Sequence, residues 1–156
     1  MAIQMLYQQE MGESTLEQIF DSFDLSDYVE ETDERTTGAE SDEVRNRRRQ
    51  QAAASFEYAR RLVEGAQVHG ESIDSLIRRH AENWRLERMP VIDRNILRLA
   101  LYEMLHEEKV PKVVIVDEAI ELAKKFGSEN SSRFVNGLLD GVLKSEMVAN
   151  ARSGAR

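Results

Sequence analysis

Cysteine is absent from the 156-residue chain, which excludes disulfide frameworks, thiolate zinc sites and cysteine nucleophiles together. That absence suits a small cytoplasmic protein. Proline occurs twice and glycine eight times, too few breakers for a many-turned β protein and few enough for long helices. No apolar run approaches the roughly 18 residues of a membrane span. No basic patch followed by an apolar core opens the chain, so no secretory signal is expected. What is present is a 41% hydrophobic complement, enough for one domain with a single core. The net charge of −8 argues against nucleic acid only as a sum. Residues 1–44 hold 13 Asp and Glu against the single Arg35, a local charge of −12, and residues 45–156 hold 16 acids against 20 Lys and Arg, or +4. The acidity is local, and the remainder is mildly basic.

Apolar residues recur at helical spacing through most of the chain. Ile3, Leu6 and Tyr7 start a stripe within a helix that begins abruptly at Ala2 and ends at Gly12. Ser14 with Glu17 reads as a capping box ahead of Leu16, Ile19, Phe20 and Phe23. Between residues 28 and 44 the period disappears under acids, Thr and Gly, which predicts an acidic flexible loop. Helix resumes near Arg45 with Phe56, Ala59, Leu62, Val63 and Ala66 inward, and breaks at Gly70. Ile73, Leu76, Ile77 and His80 face inward on the next helix, and Trp84 and Leu86 fall in a short connection. Pro90 suits the first turn of a broad-faced central helix with Ile92, Ile96, Leu97, Ala100, Leu101, Met104 and Leu105. Pro111 opens another, with Val114, Ile115, Ala119, Leu122, Ala123 and Phe126, for which Gly127 is the expected C′ residue. Asn130 or Ser131 caps a last helix that buries Phe134, Val135, Leu138, Leu139 and Val142 and frays from Ala149. The predicted fold is all-α, a compact bundle of about seven helices in two packed helical halves, with residues 1–148 as one domain and 149–156 as a tail.

Chemistry is scarce. Gly127-Ser128 has neither the strand nor the lysine of a phosphate loop. His80-Ala81-Glu82 has the spacing of a zinc deaminase without its cysteines. Glu103 and His106 match half of one di-iron motif, where two motifs and two further glutamates are needed. His106 reads better as a helix-terminal cation. No catalytic constellation, metal or cofactor is expected, and the chain reads as a binding protein, not an enzyme.

Three segments are distinctive together: Asp93-Arg94-Asn95-Ile96-Leu97-Arg98-Leu99-Ala100-Leu101-Tyr102-Glu103-Met104; Val110-Pro111 followed by Glu118-Ala119-Ile120-Glu121-Leu122-Ala123-Lys124-Lys125-Phe126-Gly127; and Phe134-Val135-Asn136-Gly137-Leu138-Leu139-Asp140. Their order and spacing resemble the NusB family of transcription antitermination factors. Met5-Leu6-Tyr7 matches the family's first helix, and the stretch from Tyr58 to Asp74 matches more weakly. The resemblance implies an all-helical, non-catalytic protein. It implies binding of single-stranded boxA RNA from ribosomal RNA operon leaders, jointly with the ribosomal protein NusE, and entry into an RNA polymerase elongation complex. The family's usual Arg-rich opening is expected upstream of Met1. Arg47-Arg48-Arg49 is the comparable cluster here.

On that resemblance the candidate RNA-binding residues are Gln4 and Tyr7, Lys124, Lys125, Asn130, Arg133 and Phe134. Each also has an ordinary reading: Tyr7 and Phe134 as core, Asn130 as a helix cap, the cations as solvated charge. Asn136 reads as a structural polar residue joining helices. Glu82, Asp93 and Arg94 are the candidate contacts to NusE, Asp93 serving equally as a dipole-stabilising carboxylate in the first helical turn. Two other readings stay open. One is a stand-alone module related to the N-terminal domain of RNA cytosine methyltransferases; the other is a homodimer that buries its RNA face.

Overall fold

Helices follow wherever the 3.6-residue period is continuous, and their ends fall at specific local contacts. The structure, a computed structural model, describes residues 1–25, 41–81 and 84–153, the last eight in backbone only. Seven α-helices and one short 3₁₀ turn occur among the described residues. They are α1 (Ala2–Met11), α2 (Leu16–Ser22), α3 (Asp42–Val68), α4 (Gly70–His80), α5 (Val91–His106), α6 (Lys112–Phe126) and α7 (Ser131–Ser153), with the 3₁₀ turn at Leu86–Arg88. The fold is all-α, as expected. Most of the expected acidic loop, residues 28–40, lies outside the described residues. Its expected end is corrected, because α3 begins at Asp42. The last helix is described as far as Ser153.

The chain divides into two compact units, Met1–Glu64 and Gly65–Arg156. In the first, α1 starts with no side-chain cap. It buries Ile3, Met5 and Leu6. Tyr7 departs from its expected place in the stripe, being 43% exposed. The cap of α2 is one residue later than expected. The Thr15 hydroxyl accepts from the Gln18 N–H (3.2 Å) and the Gln18 side chain accepts from the Thr15 N–H (2.9 Å), a complete capping box. The Phe20 ring meets Phe56 of α3 edge-on at 6.3 Å, the Arg60 guanidinium lies over the Phe20 ring at 5.0 Å, and Phe23 stands 5.8 Å from Phe56.

In the second unit α5 is central, packing against α4, α6 and α7. It buries Ile96, Leu97, Leu99, Ala100, Leu101 and Met104, together with the polar Asp93 and Asn95. Arg98 ties it to α4 through a bidentate pair, Nε to Asp74 Oδ1 at 2.9 Å and Nη2 to Oδ2 at 3.1 Å, while its Nη1 reaches Asn95 Oδ1 at 3.3 Å. Such fork-to-carboxylate contacts set orientation as well as energy. Gly65 allows a second close fit. A Cβ there would lie 2.0 Å from Tyr102 Cζ, so only glycine admits the ring as placed. Tyr102 in turn stacks on His106, the last residue of α5, and His106 stacks on His69 with centroids 4.2 Å apart. On α6 the expected stripe is narrower than read. Ile115, Ala119 and Ala123 are buried, but Val114 is 48% exposed and Phe126 also faces outward. A helix advances 100° per residue, so Val114 falls at the edge of the face centred on Ile115.

Candidate nucleic-acid interface

The four residues 127–130 join α6 to α7 and determine how the two helix ends meet. Gly127 closes α6, its N–H donating to the Ala123 carbonyl at 2.9 Å. Its φ of −90° is not the left-handed cap geometry usual at C′. Glycine is needed for another reason: a Cβ would stand 2.5 Å from Ser131 Cβ and 2.6 Å from the Ala123 carbonyl. Ser131, 1% exposed, tucks into that space and its hydroxyl accepts from the Ser128 N–H at 2.8 Å. The Asn130 carbonyl accepts the first bond of α7, from Phe134 N at 3.1 Å. Asn130 is therefore the helix-flanking residue and its side chain is exposed.

This turn brings five of the expected RNA-binding residues to one end of the α6–α7 pair. Lys124 and Lys125 occupy the last turn of α6, Asn130 the turn itself, and Arg133 and Phe134 the first turn of α7, which carries no acid. Lys124 is loosely paired with Glu121 at 3.6 Å, and the Lys125 ammonium lies over the Phe126 ring at 5.2 Å. Surface pairs of this kind are worth about 0–1 kcal/mol and yield readily to a polyanion. Among the described residues Arg133 makes no ion pair. Phe134 is partly exposed, not a closed core residue, and Trp84 stands edge-on to it at 6.2 Å. Sequence reasoning placed Trp84 only in a connection. Its one local signal is a lone tryptophan in a polar stretch. Asn136 is corrected as well: it is exposed and does not lie between helices. Gln4 and Tyr7 sit on α1 in the other unit, both exposed and three residues apart on one side of that helix.

The expected partner contacts are more dispersed in environment. Glu82 lies outside the described residues. Asp93, in the first turn of α5, is only 4% exposed, and its Oδ1 has no hydrogen-bond partner among the described residues. That burial leaves little of it for a partner to reach. Arg94 is half-buried and donates through Nη1 to the Leu86 carbonyl at 3.3 Å. Burial, and then the neighbouring Arg98 charge, lower its pKa from the ordinary arginine value. No group of three or more His, Asp or Glu able to hold a metal ion occurs among the described residues, and no described helix is long and apolar enough to cross a membrane.

The NusB family profile matches residues 1–144, nearly the whole chain. The chain belongs to the NusB family of transcription antitermination proteins. A NusB transcription antitermination protein from Myxococcus xanthus (strain DK1622) is 44% identical over 141 residues, covering 90% of this chain and 88% of that one. Among solved structures, NusB of T. maritima superposes with a TM-score of 0.68 at 38% identity, over 92% of this chain and 85% of that one. A crystal structure of the antitermination factors NusB and NusE in complex with double-stranded RNA matches with a TM-score of 0.64 at 26% identity, over 92% and 91%. NusB membership accounts for the all-helical architecture and makes the protein a non-enzymatic antitermination factor.

Proposed function

We propose that this NusB-family chain binds single-stranded boxA RNA of ribosomal RNA operon leaders together with NusE, in the cytoplasm, and joins the elongating RNA polymerase as an antitermination adaptor. The observation that carries this reading is the α6–α7 junction, where exposed Lys124 and Lys125 in the last turn of α6 and exposed Arg133 in the first turn of α7 accompany a partly exposed Phe134. Phosphate charge plus base stacking on an aromatic face is the chemistry that holds unpaired RNA. Asn130 adds a polar group at a helix start, where N–H groups favour phosphate. Gln4 and Tyr7 supply the exposed polar and aromatic side of α1 for the same ligand. On the NusE side the reading keeps Glu82 and Arg94 as charged contacts, which steer and select a partner more than they add affinity; Asp93, 4% exposed, serves the first turn of α5 instead.

The test is a binding titration of labelled boxA RNA and of a scrambled RNA of equal length, with and without NusE. Preferential binding of boxA RNA, strengthened by NusE, is the expected result. Equal binding of both RNAs in the presence of NusE would refute the reading.

A further inference from the structure

Trp84 is the only tryptophan in the chain, and it is 57% exposed. A large ring left in water forfeits the burial that makes tryptophan useful to a fold, so its contribution lies outside the core. Its indole is not isolated. It meets Phe134 with centroids 6.2 Å apart and planes at 60°. Trp84 is exposed and Phe134 partly so, and ring surface is therefore open to solvent on both. Each ring has an exposed arginine next to it in the chain, Arg85 beside Trp84 and Arg133 beside Phe134. Lys124 and Lys125 stand across the Gly127 turn from Phe134. Exposed rings with exposed cations at the adjoining chain positions suit a chain of planar groups linked by anions. That describes unpaired nucleotides. A duplex offers phosphate but keeps its bases stacked inside, out of reach of the rings.

We propose that Trp84 and Phe134 together form a two-ring platform on which unpaired bases of single-stranded RNA stack, with Arg85 and Arg133 on the flanking phosphates. The proposal rests on the reading of this junction as an RNA surface. It adds a residue from a distant segment and commits the site to single strands over duplex. It also makes the platform tolerant of base identity, because every base presents a π-face.

Because Trp84 is the sole indole, its emission reports on the platform directly. The full chain is titrated with a single-stranded boxA oligonucleotide while tryptophan fluorescence and the polarisation of end-labelled RNA are both followed. The expected result is quenching that saturates at the same RNA concentration as the polarisation change, and no quenching by the same oligonucleotide annealed to its complement. Trp84→Ala should weaken binding roughly five- to 150-fold, the range for loss of one base–aromatic stack, and Trp84→Phe should restore most of it. Circular dichroism of both variants checks that the exposed position leaves the fold intact. Polarisation that saturates while emission is unchanged, with Trp84→Ala binding within twofold of the parent, would overturn the platform and leave the RNA reading standing. Quenching by NusE in the absence of RNA would make the ring a protein contact and likewise overturn the proposal. No polarisation change with any RNA would remove both the platform and the reading beneath it.

Discussion

Replacing Gly65 by alanine should destabilise the protein, even though alanine is the better helix former. On propensity alone the change in the body of a helix favours folding by about 1 kcal/mol. Against that, the new methyl would stand 2.0 Å from Tyr102 Cζ, 2.3 Å from its hydroxyl oxygen and 2.4 Å from Cε2, where about 3.5–4 Å is comfortable. The ring has to move by well over an ångström. Its movement disturbs the stack on His106, at 4.8 Å, and on His69, at 5.9 Å. Overpacking of this kind costs about 1–3 kcal/mol, and each aromatic pair lost adds about 0.5–1.5 kcal/mol. The expected net loss is about 1–5 kcal/mol, depending on how much of each stack is lost. Its sign is more informative than its size, and a double-mutant cycle isolates it. With Tyr102→Ala in place the obstruction is gone, and Gly65→Ala should then stabilise by about 1 kcal/mol. Urea denaturation followed by circular dichroism at 222 nm measures all four proteins. Gly137→Ala is the control: a Cβ there meets nothing within 4 Å, so the same propensity gain of about 1 kcal/mol should appear in full. If Gly65→Ala raises the midpoint equally with and without Tyr102, the ring relaxes freely and the packing argument is wrong.

Three further outcomes are expected. Thr15→Ala should cost about 1 kcal/mol in a urea melt while Ser14→Ala costs nearly nothing, since Thr15 is the capping residue; the reverse order would return the cap to Ser14. Arg98→Ala should cost about 1.5–3 kcal/mol by the scale for hydrogen bonds to charged groups, and Arg98→Lys should recover only part of it because a lysine cannot fork onto Asp74; full recovery by lysine in the same melt would show that charge alone suffices. Neutralising any one of Lys124, Lys125 and Arg133 to Gln should flatten the dependence of log K on log salt by about 0.7 for single-stranded RNA, and an unchanged slope would remove that residue from the phosphate contacts.

How much of this was legible in the sequence depended on how local each determinant is. The broad face of α5 was readable in Ile96, Leu97, Ala100, Leu101 and Met104, all buried, while the expected Leu105 is corrected to 39% exposed and Ile92 is only partly covered. The cap of α2 was not, because Ser14-x-x-Glu17 and Thr15-x-x-Gln18 are overlapping boxes and only the direction of the preceding chain selects one. Gly127 was placed correctly at the end of α6 for an incomplete reason. The pattern points to backbone freedom, whereas the space is taken by Ser131, four residues on. The lone Trp84 in a polar stretch could be noticed, but its pairing with Phe134 had no local signal. The two are 50 residues apart, and the packing of α4 and α7 against one another brings their segments together.

The motif around Phe134 shows why a family signature does not by itself separate fold from site. Val135, Leu138 and Leu139 are buried, while Asn136 and Gly137 between them face outward. A single residue of helical phase decides which is which. Gly137 is the sharpest case. Glycine weakens a helix interior, yet no atom of the described residues lies close enough to require it. Gly65 and Gly127 answer to Tyr102 and Ser131 inside the chain, and Gly137 answers to nothing there. Within one seven-residue motif, then, three positions hold α7 onto the core and two contribute nothing to packing. The second group lies one turn from Phe134 on the helix that carries the cationic junction, so whatever the motif contributes beyond folding is delivered from that exposed side.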